Sequence, residues 1–413
     1  MANDWVDTTV GAQITLQRGI DITKATQNIG RVPVISSGGV SSYHDKAAVA
    51  GPGVVLGRKG VVGSVYFVAE DYWPHDTTLW VKDFHGNDAR FVYYFFSWLA
   101  PRIATMDVGS ANPTLNRNHV HPIEIRWPPV PDQRGIAKVL GGLDDKIELN
   151  RRINETLEDT ACALFKSWFV DFDPVRQRAE GRDLRLPESI SDLFPDTHET
   201  TELGEIPKGW HVRPVGDLAT VTGGSTPSTK EESYWEGGTH SWATPKDLSS
   251  LKTPVLLDTE RKITDAGLSQ IASGLLPVGT VLMSSRAPIG YLAIAEVPVA
   301  INQGFIAMQP ATGVSNLFLL RWAEWAHDLI VSRANGSTFL EISKSNFRPL
   351  PVVTPPEGLM KAFDSTVRPL YLKMVANELS SRTLAQLRDA LLPKLISGEI
   401  RITEVDRILG SSL

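Results

Sequence analysis

The fold is decided by the stretch Ile136-Ala-Lys-Val-Leu-Gly-Gly-Leu-Asp-Asp-Lys-Ile-Glu-Leu-Asn150, in which apolar residues return at spacings of four and three. This spacing predicts a helix with a single apolar seam. No proline occurs between Asp132 and Phe169, so the seam continues for about five heptads and the helix is predicted to be about 55 Å long. The seam consists of Ile136, Leu140, Leu143, Ile147, Asn150, Asn154, Leu157, Ala161, Leu164 and Trp168.

A second copy of this seam lies further along the chain, and an internal repeat relates the two. Asn150 corresponds to Asn377, an offset of 377 − 150 = 227, and the same offset relates Leu157 to Leu384. Pro393 predicts that the second copy bends or ends early. The second seam consists of Phe363, Val367, Leu370, Met374, Asn377, Ser381, Leu384, Arg388, Leu391 and Leu395.

The repeat includes the globular segments that precede the helices. Gly109-Ser110 and Gly336-Ser337 keep the offset of 227, whereas Gly19 and Gly224 differ by 224 − 19 = 205. The difference, 227 − 205 = 22 residues, accumulates almost entirely between Gly19 and Gly53 and in the corresponding part of the second copy. A duplicated scaffold with one divergent region indicates two modules that recognise different things.

Short β-like runs broken by glycine fill the globular segments and indicate mostly β domains. The predicted fold class is α+β, with two mostly β domains alternating with two long helices that pair as an antiparallel coiled coil, in a pseudo-two-fold internal repeat. A buried pair of Asn150 and Asn377 would fix the helix register, and the alternative is that both face solvent. The predicted segments are a first β domain at 1–131, a central helix at 132–170, a linker at 171–209, a second β domain at 210–354, a distal helix at 355–398 and a C-terminal tail at 399–413.

Composition narrows the class of protein. A hydrophobic content of 42% and a charged content of 21% are ordinary for a globular protein. The net charge of −6 argues against a sequence-blind nucleic-acid binder, which is normally basic. No apolar run is long enough to span a bilayer, which predicts a cytoplasmic protein. The single cysteine, Cys162, is predicted to be a packed residue and not a reactive thiol.

The sequence predicts no catalytic residues. It lacks a Walker phosphate loop, a dinucleotide-binding glycine motif after a strand, and the motif of an amino-methyltransferase. His119 and His121 could pair as metal ligands, but the repeat places Asn346 and Arg348 at these positions. We therefore predict no metal site and interpret the two histidines as part of a strand end that faces solvent or DNA.

Basic residues lie at equivalent turns of the two halves. Gly57-Arg-Lys-Gly60 follows a predicted strand, and its counterpart Ser284-Ser-Arg286 again places an arginine at the turn. This favours contact with nucleic-acid phosphates or bases, while an ordinary solvated hairpin is the alternative. Lys246, in a Thr-Pro-Lys-Asp sequence, is a further candidate for a phosphate contact. The predicted DNA-binding residues are Arg58, Lys59, Lys246, Ser285 and Arg286.

Several strings of residues are specific in combination. The first half contains Pro128-Pro-Val-Pro-Asp-Gln133 and Ala163-Leu-Phe-Lys-Ser-Trp-Phe-Val-Asp-Phe-Asp-Pro174. The second half contains Gly204-Glu-Ile-Pro-Lys-Gly-Trp210 and Leu391-Leu-Pro-Lys-Leu-Ile-Ser-Gly-Glu-Ile400. With these strings, essentially the whole chain resembles the specificity subunit of a type I restriction-modification enzyme. One departure is Pro356-Glu-Gly-Leu359, which lacks the glutamine of the first copy.

The resemblance implies a non-catalytic subunit that reads a bipartite, asymmetric target in double-stranded DNA. Residues 1–131 and 210–354 would be its two target-recognition domains. It further implies two methylation subunits that carry S-adenosylmethionine, and restriction (translocase-nuclease) subunits that use ATP and Mg, with no cofactor on this chain and no membrane. One alternative is a self-sufficient enzyme such as a combined nuclease-methyltransferase, against which the missing catalytic motifs argue. The others are a stand-alone DNA-binding regulator or tether, or the specificity part of another restriction-modification class. The candidate scaffold residues for the partner subunits are Ile136, Leu143, Ile147, Asn150, Leu157, Leu164, Met374, Asn377, Leu384 and Leu391.

Overall fold

A computed structural model describes residues 4–106, 114–336 and 340–402. Gly109-Ser110, Ser337 and residues 403–413 of the predicted tail lie outside the described residues. The chain divides into two compact units, one of residues 1–148 with 382–413 and one of residues 149–381. Each unit therefore contains one β-rich domain and a part of each long helix.

The first unit begins with a β-rich domain and continues into a helix of 40 residues. Its strands are β1 (Val6–Thr9), β2 (Thr15–Arg18), β3 (Val32–Ser36), β4 (Gly39–His44), β5 (Gly53–Gly57), β6 (Val65–Val68), β7 (Trp73–Pro74), β8 (Thr78–Asp83) and β9 (Glu124–Trp127). Its helices are α1 (Val10–Gln13), α2 (Ala89–Ala104), α3 (Arg117–Val120) and α4 (Val130–Phe169), of which α4 ends in the second unit.

Two sheets and helix α2 build the β-rich domain of the first unit. One sheet has the antiparallel order β2-β8-β5-β6, and the other has the order β4-β3-β7, in which β3 and β7 are parallel. Helix α2 begins after Asp88, whose side chain accepts a hydrogen bond from the Phe91 N–H. Phe91, Phe95 and Leu99 recur every four residues on one face of α2 and are buried. This face covers the sheet strands β5 and β6.

The second unit contains more elements than the first. Its helices are α5 (Asp173–Ala179), α6 (Glu188–Ser191), α7 (Val215–Leu218), α8 (Pro245–Ser249), α9 (Asp265–Leu268), α10 (Asn316–Trp325), α11 (His327–Ser332), α12 (Lys344–Phe347) and α13 (Glu357–Ser397), of which α13 ends in the first unit. Its strands are β10 (His198–Thr201), β11 (Gly204–Pro207), β12 (His211–Pro214), β13 (Ala219–Thr222), β14 (His240–Ala243), β15 (Val255–Leu256), β16 (Arg261–Ile263), β17 (Val281–Ser285), β18 (Ile289–Ala295), β19 (Val299–Ile301), β20 (Phe305–Pro310) and β21 (Pro351–Thr354).

The second unit repeats the strand order of the first. The order β13-β20-β17-β18 matches β2-β8-β5-β6, and β16-β14-β19 matches β4-β3-β7 with the same parallel pair. Strand β15 extends the larger sheet by pairing with β18. The predicted mixture of helix and sheet and the predicted internal repeat are therefore confirmed.

The two units differ in length between one pair of equivalent strands. Ser37 and Gly38 alone join β3 to β4, whereas residues 244–260 separate β14 from β16. These 260 − 243 = 17 residues contain α8 and β15. The 17 − 2 = 15 additional residues between the strands contribute a large part of the 22-residue change in offset. We call residues 244–260 the insert.

Helices α4 and α13 contact each other within each unit. In the second unit, Asn150 donates to Ser381, and the rings of Phe165 and Phe363 lie 6.1 Å apart. Residue numbers therefore rise along α4 as they fall along α13, so the helices run antiparallel there. The coiled-coil seam itself stays a prediction. No helix among the described residues has the length and apolarity needed to cross a bilayer.

Helix α13 continues through Pro393 to Ser397, so the predicted early end is not observed. Leu395 and Ile396 on the last turn are buried in the core of the first unit. Burial of these two side chains stabilises the turn although Pro393 cannot donate a backbone hydrogen bond.

The predicted linker, residues 171–209, is packed and not free. It contains α5, α6 and the hairpin formed by β10 and β11. Phe172, Val175, Phe194 and Ile206 are buried in the same core as α4 and α10 of the second unit. Their spacing follows neither a helical nor a strand period over any long stretch, which is why the sequence pattern suggested a linker.

Candidate nucleic-acid interface

The basic turn of the first unit follows β5 directly. The Arg58 and Lys59 N–H groups both donate to the Thr77 carbonyl oxygen, at 2.9 and 3.1 Å. Arg58 is half-buried, and its Nη1 lies 3.4 Å from the Asp76 carbonyl oxygen. Burial of the guanidinium lowers the pKa of Arg58, and the charge of Arg18 lowers it further. Lys59 is exposed, so its charge is accessible at the surface of this turn.

The equivalent turn of the second unit follows β17. The Ser285 N–H donates to the Gly304 carbonyl oxygen at 2.8 Å, as Arg58 does to Thr77. Ser285 is only 3% exposed, and its hydroxyl has no hydrogen-bond partner within the described part of the chain. Its side chain therefore does not reach the surface that the sequence interpretation assumed. Arg286 is the counterpart of Lys59 and is partly exposed, 3.7 Å from Glu341.

A second basic position accompanies each turn, and sequence reasoning did not identify it. The Leu115 N–H donates to the Arg58 carbonyl oxygen at 2.9 Å, and the Ile342 N–H donates to Ser285 at 3.0 Å. Two residues after each of these contacts, α3 and α12 begin with the exposed residues Arg117 and Lys344. The offset 344 − 117 = 227 is the signal in the sequence that could have found them.

The two turns have their acidic neighbours at different positions. Asp76 in the first unit pairs with Arg18 at 3.0 Å. The same repeat position in the second unit, 303 − 76 = 227 residues later, is the neutral Gln303. The acidic neighbour of the first turn is therefore Asp76, and that of the second turn is Glu341.

Lys246 lies on α8 within the insert. The Asp247 carboxylate caps the helix by accepting hydrogen bonds from the Thr244 N–H at 2.8 Å and the Thr244 hydroxyl at 2.7 Å. The exposed Lys246 Nζ pairs with Glu260 at 2.8 Å, and this hydrogen bond raises the pKa of Lys246. Its charge is thus partly neutralised, which makes it the weakest of the predicted contacts.

Among the residues that the structure describes, two groups of acidic, histidine and cysteine side chains come close together, and each contains a carboxylate that pairs with an arginine. Arg18 pairs with Asp76 beside Asp21 and His75, and Arg321 lies between Glu158 and Glu324 beside Cys162. Burial raises the pKa of the Cys162 thiol to about 11, so it is protonated at neutral pH.

His119 and His121, which the sequence analysis considered as possible metal ligands, lie in different surroundings. The His121 Nε2 accepts a hydrogen bond from the Leu16 N–H at 3.0 Å. Burial lowers the pKa of His121, which favours the neutral ring needed to accept that bond. His119 is exposed. His121 therefore has a structural use within the first unit.

The asparagines at the centre of the helical seam form a pseudo-symmetric buried layer. Asn150 and Asn377 are 2% and 4% exposed, so the solvent-facing alternative is wrong. Asn150 Nδ2 donates to Ser381 Oγ at 3.2 Å, and Asn377 Nδ2 donates to Asn154 Oδ1 at 2.8 Å. Asn150 and Asn377 are repeat counterparts, and each donates to the residue four positions after the other.

The other candidate scaffold residues are buried (Ile136, Met374) or half-buried (Leu143, Ile147, Leu157, Leu164, Leu384, Leu391).

The sequence profile of the type I restriction modification DNA specificity domain matches residues 5–159 and 207–358. The chain is 38% identical over 326 residues to the specificity subunit of the type I restriction enzyme MjaIX of Methanocaldococcus jannaschii, covering 78% of this chain and 71% of that protein. It is 27% identical over 336 residues to the HindI specificity subunit of Haemophilus influenzae, covering 70% and 71%.

A solved structure has the same fold. The crystal structure of a type I restriction-modification S subunit from M. genitalium matches with a TM-score of 0.61 at 17% identity, over 95% of this chain and 96% of that one. The profile matches both halves of the chain separately, as the internal repeat requires. The chain therefore belongs to the family of type I restriction-modification specificity subunits.

Proposed function

We propose that the chain reads a bipartite, asymmetric DNA target for a type I restriction-modification enzyme and is itself non-catalytic. The observation that supports this proposal is the repetition of basic positions: Lys59 and Arg117 in the first unit match Arg286 and Lys344 in the second. The repeated basic positions suit the phosphate backbone, which is the same along the whole DNA duplex. The unequal size of the two domains suits two half-targets of different sequence.

The repeated basic residues serve as phosphate contacts in this proposal. Phosphate contacts fix the position of a domain on the duplex and carry no sequence information, so the two domains can share them. Base contacts must differ between the domains, and the insert is the main difference between them. Arg58 supports the first turn from its half-buried position, and Lys246 adds a weaker contact. Ser285 is not retained, because its side chain is buried.

The long helices serve as the scaffold for the partner subunits. The pseudo-symmetric layer of Asn150 and Asn377 relates similar surfaces on α4 and α13, and two similar surfaces suit two copies of a methylation subunit. Those subunits would bind S-adenosylmethionine, and the restriction subunits would use ATP and Mg. This chain binds none of these cofactors and acts in the cytoplasm.

The proposal is tested by purifying the chain with and without a methylation subunit from the same genome. The complex is expected to methylate two half-targets separated by a fixed spacer, while the chain alone transfers no methyl group. Sequencing-based mapping of methylated bases gives both half-targets. Sequence-specific regulation of transcription by the chain alone, with no methylation by the complex, would instead support the stand-alone regulator.

A further inference from the structure

An arginine of the second unit lies over an aromatic ring. The guanidinium carbon of Arg261, at the start of β16, lies 3.6 Å from the ring centroid of Trp235 and 5.4 Å from that of Trp242. The two tryptophan rings pack edge to face at 5.0 Å. Stacking of this kind stabilises a guanidinium in one plane and removes much of its rotational freedom.

The same tryptophans anchor the neighbouring loop. Trp235 Nε1 donates to the Ser228 carbonyl oxygen at 2.9 Å, and Trp242 Nε1 donates to that of Ser225 at 3.3 Å. The Ser225 N–H in turn donates to the Ile301 carbonyl oxygen at 3.1 Å. Three residues after Ile301, the Gly304 carbonyl oxygen accepts a hydrogen bond from the N–H of Ser285, the residue before Arg286. The stacked arginine and the basic turn therefore flank the same short loop of the second unit.

The donor edge of Arg261 is available for a ligand. The residue is exposed, although its guanidinium carbon lies over the Trp235 ring. Within residues 4–106, 114–336 and 340–402, its guanidinium has no ion pair or side-chain hydrogen bond. A rigid, uncompensated guanidinium fork fits the two acceptors that guanine presents in the major groove, N7 and O6. A phosphate contact needs only charge, which a flexible lysine also provides.

The first unit has nothing similar at this position. Strand register pairs Trp242 with Arg261, and the equivalent pair in the first unit is Val34 with Ser42. The stack is thus one of the features that distinguish the two domains, in contrast to the repeated basic positions.

We propose that Arg261 is a specificity-determining residue that reads a guanine in the half-target of the second domain. This inference rests on the proposed function, since it assumes that the second domain contacts DNA bases. It assigns Trp235 as the positioning residue that orients the guanidinium.

The test replaces Arg261 and maps methylated sites with the methylation subunit present. In R261K and R261A, one guanine position of the second half-target is expected to accept other bases, with discrimination there reduced by about 5- to 150-fold. The first half-target should be unchanged. Trp235→Leu, which keeps the arginine and removes the stack, should weaken discrimination at the same position.

Three results would overturn the inference. R261K could keep full discrimination while R261A only weakens binding and reduces the salt slope by about 1, which is the signature of a phosphate contact. Position-independent relaxation of both half-targets would indicate a general structural role. An unchanged R261A beside weakened K59A and R286A would remove Arg261 from the site and leave the proposed function intact. If K59A and R286A are also unchanged, the assigned phosphate contacts fail too. The proposed function itself fails only if the complex with the unsubstituted chain methylates no pair of half-targets.

Discussion

The β-rich domains of the two units share one set of features and differ in another. Both place a basic residue at the turn after the central strand (Lys59, Arg286) and another at the start of a short helix (Arg117, Lys344). Only the second has the insert and the stack of Trp235 with Arg261. What the shared positions have in common is a positive charge. The insert changes the shape of the second domain, and the stack fixes the direction in which Arg261 can donate hydrogen bonds. This division is what two half-targets on a uniform phosphate backbone require.

The two domains also differ in how their helices join the scaffold. Tyr94 on α2 donates to Asp144 on α4 at 2.5 Å. The equivalent residue of α10, 321 − 94 = 227 positions later, is Arg321, which pairs with Glu158 on α4 at 2.7 Å. A neutral phenol in one unit and a buried cation in the other occupy the same place. The comparison therefore yields predictions that separate the units.

The largest effect is expected from exchanging residues 1–129, which end immediately before α4, for those of a relative. One half-target should be replaced and the other kept, because the base-reading surface of the second domain is untouched. Affinity for the original target should fall by about 10³-fold or more, towards non-specific binding. Mapping of methylated sites measures the outcome. A change in both half-targets would contradict the division of labour.

The second prediction compares Arg321→Met with Tyr94→Phe. Arg321 is 3% exposed, and its loss leaves the Glu158 carboxylate without its cation, at a cost of about 3 kcal/mol in the free energy of unfolding. Tyr94→Phe should cost about 1 kcal/mol, because Asp144 still pairs with Arg388. Urea unfolding gives both values, and amide hydrogen exchange locates each effect in its own unit. Equal costs would mean that Arg321 is better solvated than its burial indicates.

The third prediction concerns the shared basic positions. Lys59→Ala and Arg286→Ala should each weaken binding by about fivefold at 0.15 M salt and reduce the salt slope by about 0.9. The loss should be the same for specific and unrelated DNA. Lys246→Ala is the matched control, and its effect should be smaller because Glu260 already pairs with Lys246. Titrations at several salt concentrations measure these slopes. A relaxed target position in K59A would assign Lys59 to base contact instead.

The smallest effect is expected at the contact that ties the insert to the helices. Thr253 Oγ1 donates to Glu378 Oε1 at 3.1 Å, and Asn154 donates to the same oxygen at 2.9 Å. Thr253→Val should cost less than about 1 kcal/mol, since Glu378 keeps one partner. Faster hydrogen exchange is expected in residues 244–260 and not in the first unit. Uniform exchange changes across both units would show that the contact is not local.

Sequence patterns were informative where a signal repeats at short range or at a constant offset. The seam around Asn150 predicted helix α4, and the 227-residue offset predicted the duplicated domains. The family resemblance found in the same strings is confirmed by the profile match. One of these strings, residues 391–400, belongs to the end of α13. This helix continues past Pro393 because its last turn is buried.

The sequence by itself determined the repeat, the long helices, the family and the basic turns, because periodicity and offset are properties of the chain alone. Only the tertiary structure decided that Ser285 is buried, that Glu260 neutralises Lys246 and that residues 171–209 are packed. It also brought Arg261 onto Trp235, which lies 261 − 235 = 26 residues earlier. Burial and pairing depend on side chains that meet only after the sheets form, and no local pattern records which residues those are.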